Sequence, residues 1–162
     1  MFKVQKPHDE WESYIDIDKY GKLTLSNIEF TTTNLCNMRC SHCAVGYTLL
    51  TKELPSIPAD EIIRKLDEVE TLRTMSFTGG EPLLTKKGIK NNLLPLLKYA
   101  KSRGIKTQIN SNLTAPMSHY ELVAPYLDVM HISHNWCDEK EFVETGFAMM
   151  EKTPSVEYRG QL

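Results

Sequence analysis

Segments with the composition of β-strands alternate along this sequence with segments that have the spacing of amphipathic helices. Residues 25–33 contain Ile28, Phe30 and three threonines, a composition typical of a strand. Further strands are predicted at 75–78, 105–110 and 129–133, and residues 156–158 are expected to begin a fifth. Helices are predicted from Pro58 through Val69 and over 93–103, 116–127 and 138–152. This alternation predicts βαβ units and a parallel sheet.

The predicted βαβ units fit one α/β domain of 162 residues. Right-handed crossovers make successive parallel strands curl toward a barrel. Residues 1–24 have no clear period and are interpreted as an irregular N-terminal arm, with a short hairpin around Tyr20–Gly21. Within the arm, Asp16, Asp18 and Lys19 are expected to lie on the solvated surface. Residues 25–162 then form the folded core.

Charge and hydropathy exclude several classes of protein. The net charge is −2, so neither nucleic acid nor an anionic membrane surface is an expected partner. The sequence contains no apolar run of 18 residues, and its first residues lack the apolar segment of a signal peptide. We therefore expect a cytoplasmic protein. Four cysteines without a secretion signal argue against a disulfide framework.

Three of the cysteines, Cys36, Cys40 and Cys43, are spaced C-x3-C-x2-C on the loop after the first predicted strand. Three thiolates this close can each hold one iron of a [4Fe–4S] cube, which leaves the fourth iron open to a small molecule. An alternative is a zinc site with His42 or Cys137 as fourth ligand, although structural zinc sites usually join two close pairs of ligands. A thiol redox protein is weakly supported, because the Cys40/Cys43 pair has no thioredoxin-like context.

A second motif, Gly79-Gly80-Glu81-Pro82, directly follows the second predicted strand. Residues without a Cβ atom let the backbone approach a ligand closely. The alternative interpretation is a tight turn with a solvated glutamate. The cysteine triplet, followed about one βα unit later by GGE-P, resembles the signature of the radical S-adenosylmethionine (radical SAM) enzymes.

The resemblance implies an incomplete, open parallel (β/α) barrel of the radical SAM type. This chain supplies about four to five βα units of that barrel. Residues 25–162 would be the N-terminal part of the core, either as a fragment of a longer protein or as a truncated version. Within the family, a further resemblance is to the YfkA/YfkB-type proteins. The open sheet edge predicts a C-terminal partner polypeptide, an oligomer or poor solubility.

The resemblance also assigns roles to residues. Cys36, Cys40 and Cys43 would bind the [4Fe–4S] cluster, and the turn at Gly79, Gly80 and Glu81 would bind the amino group of S-adenosylmethionine. Further contacts to the cofactor would come from Ser111 and Ser133, which follow the third and fourth strands.

Three of these positions keep a second interpretation. Many relatives have Thr-Asn-Gly where this chain has Ser111-Asn112-Leu113, and an ordinary polar loop turn explains Ser111 equally well. His134 is a candidate for substrate contact or proton transfer, or a surface histidine. Cys137 is expected to be a packed or idle cysteine.

The activity that the resemblance implies is reductive cleavage of S-adenosylmethionine to start radical chemistry on a small-molecule or peptide substrate. An external one-electron donor such as a flavodoxin or ferredoxin is then required. The alternatives are a non-catalytic iron–sulfur or metal-binding fragment, or half of a split enzyme. The sequence does not identify the substrate.

Overall fold

The computed structural model describes residues 14–146 of the chain. The predicted fifth strand at 156–158, the end of the helix predicted over 138–152 and most of the N-terminal arm lie outside the described residues. Within residues 14–146, no helix is both long and apolar enough to cross a membrane.

Within the described residues, four parallel strands form one sheet, and their order in the sheet is their order in the chain. The strands are β1 (Asn27–Thr33), β2 (Thr74–Gly79), β3 (Lys106–Ser111) and β4 (Val129–Ile132). All four lie within one or two residues of the predicted bounds. Neighbours that follow the chain order are expected when right-handed crossovers wind a sheet in one direction. The prediction of a partial parallel (β/α) barrel is confirmed.

Helices precede the first strand, occupy the connections between strands and follow the last strand. They are α1 (Ile15–Tyr20), α2 (Ala59–Leu66), α3 (Lys86–Gly88), α4 (Leu94–Ser102), α5 (Met117–Val123) and α6 (Glu139–Gly146). A π-helical turn over Ile89–Leu93 joins α3 to α4, and 3₁₀ turns occur at Gly46–Thr48 and Ala124–Tyr126. Each strand is thus followed by a helix, as the alternating pattern predicts.

The helical segment before β3 begins earlier than predicted. The sequence predicts a start at residue 93, but the segment starts at Lys86, where the Thr85 side chain accepts a hydrogen bond from the Gly88 N–H and caps it. Lysines and asparagines over 86–92 conceal this turn in the sequence. Its apolar positions, Ile89 and Leu93, are four residues apart and fully buried.

The core lies between one face of the sheet and the helices. Met75 and Phe77 of β2 and Ile109 of β3 are fully buried there and pack with Leu97 of α4 and Val123 of α5. Alternate residues of a strand point to the same face, so the intervening polar residues of β2 and β3 face the other side. Burying each such apolar side chain contributes about 1.5–3 kcal/mol.

The N-terminal segment differs from its prediction. The hairpin expected around Tyr20–Gly21 is wrong: residues 15–20 form α1, which ends at Gly21 in the left-handed conformation (φ 68°). The surface position predicted for Asp16 is also wrong, because Asp16 is fully buried and forms an ion pair with Arg73, just before β2. Burial alone would raise the pKa of Asp16. Hydrogen bonds from Arg73 and Thr24 outweigh that effect and hold the pKa at about 2.

Candidate functional site

The sequence motifs of interest meet at the carboxyl edge of the sheet. The cysteine loop follows β1, the Gly79–Gly80 turn ends β2, and residues 112–114 follow β3. Carboxyl ends of parallel strands lie at one edge of a sheet or barrel, where active sites of such folds are found. The three cysteines of the loop are all free and partly exposed.

The two glycines let the turn after β2 lie directly against the start of the cysteine loop. The Gly80 N–H donates to the Thr33 carbonyl and the Glu81 N–H donates to the Leu35 carbonyl, each with an N···O distance of 2.7 Å. A Cβ atom on Gly80 would lie 1.9 Å from the Leu35 carbonyl oxygen, and one on Gly79 would lie 2.3 Å from that of Thr33. The glycines therefore permit a close approach between two backbone segments of this chain, whereas the sequence motif predicts the approach of a ligand.

Glu81 is buried, so the alternative of a solvated glutamate is wrong. Its side chain is 1% exposed. One carboxylate oxygen accepts from the Leu83 N–H and the Ser111 hydroxyl, both at 3.0 Å, and the other accepts from the Asn112 N–H at 2.8 Å. Burial raises the pKa of Glu81, and these three hydrogen bonds only partly offset the rise. Glu81 thus fastens the turn after β2 to the end of β3.

Ser111 is held by protein groups. It is buried, its hydroxyl donates to Glu81 and lies 3.3 Å from the Tyr120 hydroxyl, and it accepts from the Leu113 N–H. Direct contact between Ser111 and a cofactor stays a prediction. Leu113 stands where the resemblance leads one to expect a glycine, and it adopts a left-handed conformation with φ 59° that favours glycine.

The residue of this segment that reaches the cysteine loop is Asn112. Its side-chain nitrogen lies 3.8 Å from the Cys36 sulfur and 3.3 Å from the Asn37 side-chain oxygen. The backbone N–H of Met38 also donates to the Cys36 sulfur, at 3.4 Å. Cys36 therefore receives two hydrogen bonds on its sulfur, an arrangement that stabilises a thiolate or a metal-bound sulfur.

A small apolar cluster covers the first two cysteines. Met38 and Trp136 are buried, and Cys36, Cys40 and Phe142 pack against them. Trp136 comes from the loop after β4, so the fourth strand also contributes to the site. Sequence reasoning missed Trp136, although its position four residues beyond the end of β4 is the signal that would have found it.

Backbone and side-chain hydrogen bonds fix the shape of the cysteine loop. The Arg39 N–H donates to the Gly146 carbonyl, and the Ser41 N–H donates to the Thr145 carbonyl at the end of α6. The Arg39 guanidinium donates to the carbonyls of Cys36 and Met38, both at 2.8 Å. The loop is therefore held from outside by the end of α6 and from within by the Arg39 side chain.

The electrostatics of the thiols indicate mutual proximity. Burial raises the pKa of Cys36, and burial together with the neighbouring charges of Cys36 and Cys43 raises the pKa of Cys40 to about 11. Metal binding would therefore release protons from these thiols. In residues 14–146, no three His, Cys, Asp or Glu side chains converge enough to hold a single metal ion. A [4Fe–4S] cube takes each cysteine on a different iron, so its thiolate donors do not have to converge on a single metal ion.

The remaining predicted positions follow β4. Ser133 is exposed, and its N–H donates to the Ser111 carbonyl at 2.9 Å. His134 is exposed, with its ring edge-on to Trp136 at a centroid distance of 5.5 Å. His42 lies 3.0 Å from the Asn135 side chain. Cys137 is exposed, so the packed state is excluded and the alternative of an idle cysteine stays a prediction.

A cavity of about 340 Å³ lies beside β1. Phe30, Thr31 and the segment from Leu54 to Ile57 line it, and so do Thr33 and Asn34 at the carboxyl end of β1. The cavity therefore reaches the edge where the motifs meet, although none of the three cysteines is among its lining residues.

Comparison with known proteins gives one family. The sequence model of the Radical SAM superfamily matches residues 30–158. YfkA of Bacillus subtilis (strain 168) is 55% identical over 153 residues, which are 94% of this chain and 41% of that protein. The GTP 3',8-cyclase of Petrotoga mobilis is 31% identical over 120 residues, 72% of this chain and 36% of the cyclase.

The fold is similar to that of Streptococcus suis SuiB. The structure of SuiB bound to S-adenosylmethionine superposes with a TM-score of 0.54 at 20% identity, covering 80% of this chain and 30% of SuiB. The structure of SuiB bound to its precursor peptide SuiA gives a TM-score of 0.53. The chain thus spans less than half the length of each of these relatives.

Proposed function

Because the chain belongs to the radical SAM superfamily, we propose that it is the N-terminal part of a radical SAM enzyme core. Cys36, Cys40 and Cys43 hold a [4Fe–4S] cluster at the carboxyl edge of the sheet. One observation carries the proposal: the backbone of the Gly79–Gly80 turn lies directly against the first residues of the cysteine loop. This contact supports the proposal because it places the two motifs that carry the resemblance next to each other.

The residues of the site have separable roles. When bound, the cluster supplies the electron for reductive cleavage of S-adenosylmethionine, which starts radical chemistry on the substrate. The cysteine thiolates each take one iron, and the turn at Gly79, Gly80 and Glu81 binds the amino group of S-adenosylmethionine. Glu81 and Ser111 position that turn through their buried hydrogen bonds.

Ser133 is the further candidate contact to the cofactor, because it is exposed at the carboxyl end of β4. Its N–H donates to the Ser111 carbonyl, which fixes its place beside the end of β3. Met38 and Trp136 limit the access of water to Cys36 and Cys40. A dry environment protects a reactive radical from quenching.

The substrate is a small molecule or a peptide. One relative named above is a GTP 3',8-cyclase, and another was crystallised with a precursor peptide, so both classes occur among similar proteins. A flavodoxin or ferredoxin supplies the electron, and the cytoplasm is the compartment that keeps the thiols reduced.

A second candidate is that the described core is half of an enzyme. The observation that favours it is coverage: the chain spans 41% of YfkA and 36% of the cyclase. In residues 14–146, β4 pairs only with β3, and Ile132 on β4 is more than half exposed. A C-terminal polypeptide would then add the next strand at β4 and complete the barrel.

Anaerobic reconstitution with iron and sulfide tests the cluster assignment. We expect about four irons per chain in the wild type and in Cys137→Ala, which changes an exposed cysteine outside the triplet. Cys40→Ala should lose the cluster. If Cys40→Ala keeps a full cluster, the ligand assignment is wrong.

A second assay tests activity. Dithionite and S-adenosylmethionine are added to the reconstituted chain, and methionine and 5′-deoxyadenosine are quantified. Product from the chain alone supports a competent core. Product that appears only when a C-terminal polypeptide is co-expressed supports the half-enzyme. Absence of product in both, despite a full cluster, refutes the enzymatic proposal.

A further inference from the structure

Trp136 carries a buried polar atom that has no partner among the described residues. Trp136 is 8% exposed, and no acceptor within residues 14–146 forms a hydrogen bond with its indole nitrogen. An indole N–H can only donate a hydrogen bond, so its partner must be an acceptor. Buried donors without acceptors are rare in folded proteins, and each calls for an explanation such as a missing ligand.

The position of the indole ring is fixed by its neighbours. The Phe142 ring packs edge-on against it at a centroid distance of 4.6 Å, and the His134 ring does so at 5.5 Å. Met38 is buried in the same cluster, and Cys36 and Cys40 pack against it. Because the ring is held on several sides, the N–H cannot easily turn toward solvent.

The chemistry around Trp136 changes when the cysteines bind a cluster. Thiols are weak acceptors, whereas cluster-bound thiolates and inorganic sulfides carry negative charge and accept hydrogen bonds well. Within residues 14–146 the indole nitrogen has no hydrogen bond to the nearby His134 ring or to any other acceptor, and Met38 and Phe142 offer only a thioether and a ring. The acceptors that cluster loading creates are therefore the ones suited to the indole N–H.

We propose that the indole N–H of Trp136 donates a hydrogen bond to a sulfur of the [4Fe–4S] cluster or of its cysteine ligands. The inference rests on the proposed function, because it requires the cluster to be present. Hydrogen bonds to the sulfurs help to set the potential of an iron–sulfur cluster, and a donor favours the more negative, reduced state. Trp136 is then a positioning residue that makes the cluster easier to reduce.

The test compares Trp136→Phe, which keeps an aromatic ring and removes the N–H, with Phe142→Leu as the matched control. Phe142→Leu alters the packing of the same cluster and removes no donor. Both variants are reconstituted anaerobically, their iron is counted, and the midpoint potential is measured by a redox titration followed by electron paramagnetic resonance. We expect normal iron loading in both. We expect the reduction equilibrium of Trp136→Phe to fall about tenfold, about 59 mV for one electron, and that of Phe142→Leu to stay at the wild-type value.

Three outcomes overturn the inference. An unchanged potential in Trp136→Phe refutes it while leaving the cluster assignment intact. Equal shifts in both variants assign the effect to packing and refute it as well. Failure of the wild-type chain to load iron refutes the proposed function, and the inference falls with it.

A second measurement covers the case in which Trp136→Phe does not fold. Chain carrying Trp11→Phe is labelled with ¹⁵N-indole tryptophan, so that Trp136 is the only labelled residue. A ¹⁵N hyperfine coupling to the reduced cluster is expected. Its absence overturns the inference, because a merely structural tryptophan would show none.

Discussion

Replacing Gly80 by alanine should separate the turn after β2 from the cysteine loop. The new Cβ atom would lie 1.9 Å from the Leu35 carbonyl oxygen and 2.5 Å from its carbon, distances that real Cβ atoms do not show. Restoring a contact of about 3 Å requires that carbonyl to move by about 1 Å. The Glu81 N–H now donates to the same oxygen at 2.7 Å, and that shift would take the pair beyond hydrogen-bond distance.

The magnitude of the effect follows from these contacts. Losing the hydrogen bonds to Leu35 and Thr33 would cost about 0.5–1.5 kcal/mol each. Overpacking that is not relieved costs about 1–3 kcal/mol. The chain either loses these hydrogen bonds or keeps the overpacked contact, whichever costs less. We therefore expect the free energy of unfolding to fall by about 1–3 kcal/mol. For a chain of this length the loss lowers the melting temperature by about 2–12 °C.

Gly104→Ala is the matched control. Gly104 has φ 68°, and a Cβ atom there would meet no other atom within 4 Å, so alanine at this position meets only the backbone penalty of about 1–2 kcal/mol. Circular dichroism gives the melting temperature of both variants, and reconstitution gives their iron content. Gly80→Ala should lose iron because Leu35 adjoins Cys36, whereas Gly104→Ala should load iron as the wild type does. Normal iron loading in a folded Gly80→Ala chain would refute the close approach as a requirement for the site.

Further expectations concern buried charge and backbone strain. Asp16→Asn should destabilise the chain at neutral pH, because the pKa of Asp16 falls from 3.8 to about 2 on folding. The difference in stability between wild type and Asp16→Asn should be constant above about pH 5 and shrink as the pH falls from 4 toward 2. Thermal melts of both chains across this range would show it, and a pH-independent difference would contradict the ion pair with Arg73. Glu81→Gln replaces one accepting carboxylate oxygen by an N–H₂ group, which then faces a donor: either the Asn112 N–H or the groups bonded to the other oxygen. Urea unfolding should therefore show a free energy of unfolding lower by about 1–3 kcal/mol. Leu113→Gly should be more stable than Leu113→Ala by about 1 kcal/mol, because both remove a side chain that is 41% exposed and only glycine relieves the φ of 59°; equal stability in urea would show that no strain is stored there.

The strands and most helices could be predicted because their signals are local. β-branched and aromatic residues mark β1 to β4, and apolar spacing marks α2 and α4. The turn at Lys86 was missed because its buried residues, Ile89 and Leu93, stand among lysines and asparagines. The burial of Asp16 could not be predicted, since its partner Arg73 lies far along the chain and no local pattern joins them.

In the candidate site, too, some features could be predicted from local sequence and others could not. The cysteine triplet and the two glycines are contiguous motifs, so the sequence displays them directly. The hydrogen bonds of Glu81 to the end of β3 depend on the register between β2 and β3, which no short window of sequence contains. Asn112 was recognised as polar, but its contact with Cys36 depends on the same packing.

The hydrogen bonds from Arg39 and Ser41 to the end of α6 set an order of events during synthesis. The cysteine loop is made early, but the carbonyls of Thr145 and Gly146 that it needs come more than a hundred residues later. At about 5–20 residues per second, the three thiols wait roughly 5–20 s before their final frame exists. Until α6 has formed, the cysteine loop lacks these two hydrogen bonds, so its final shape depends on a helix that is synthesised after it.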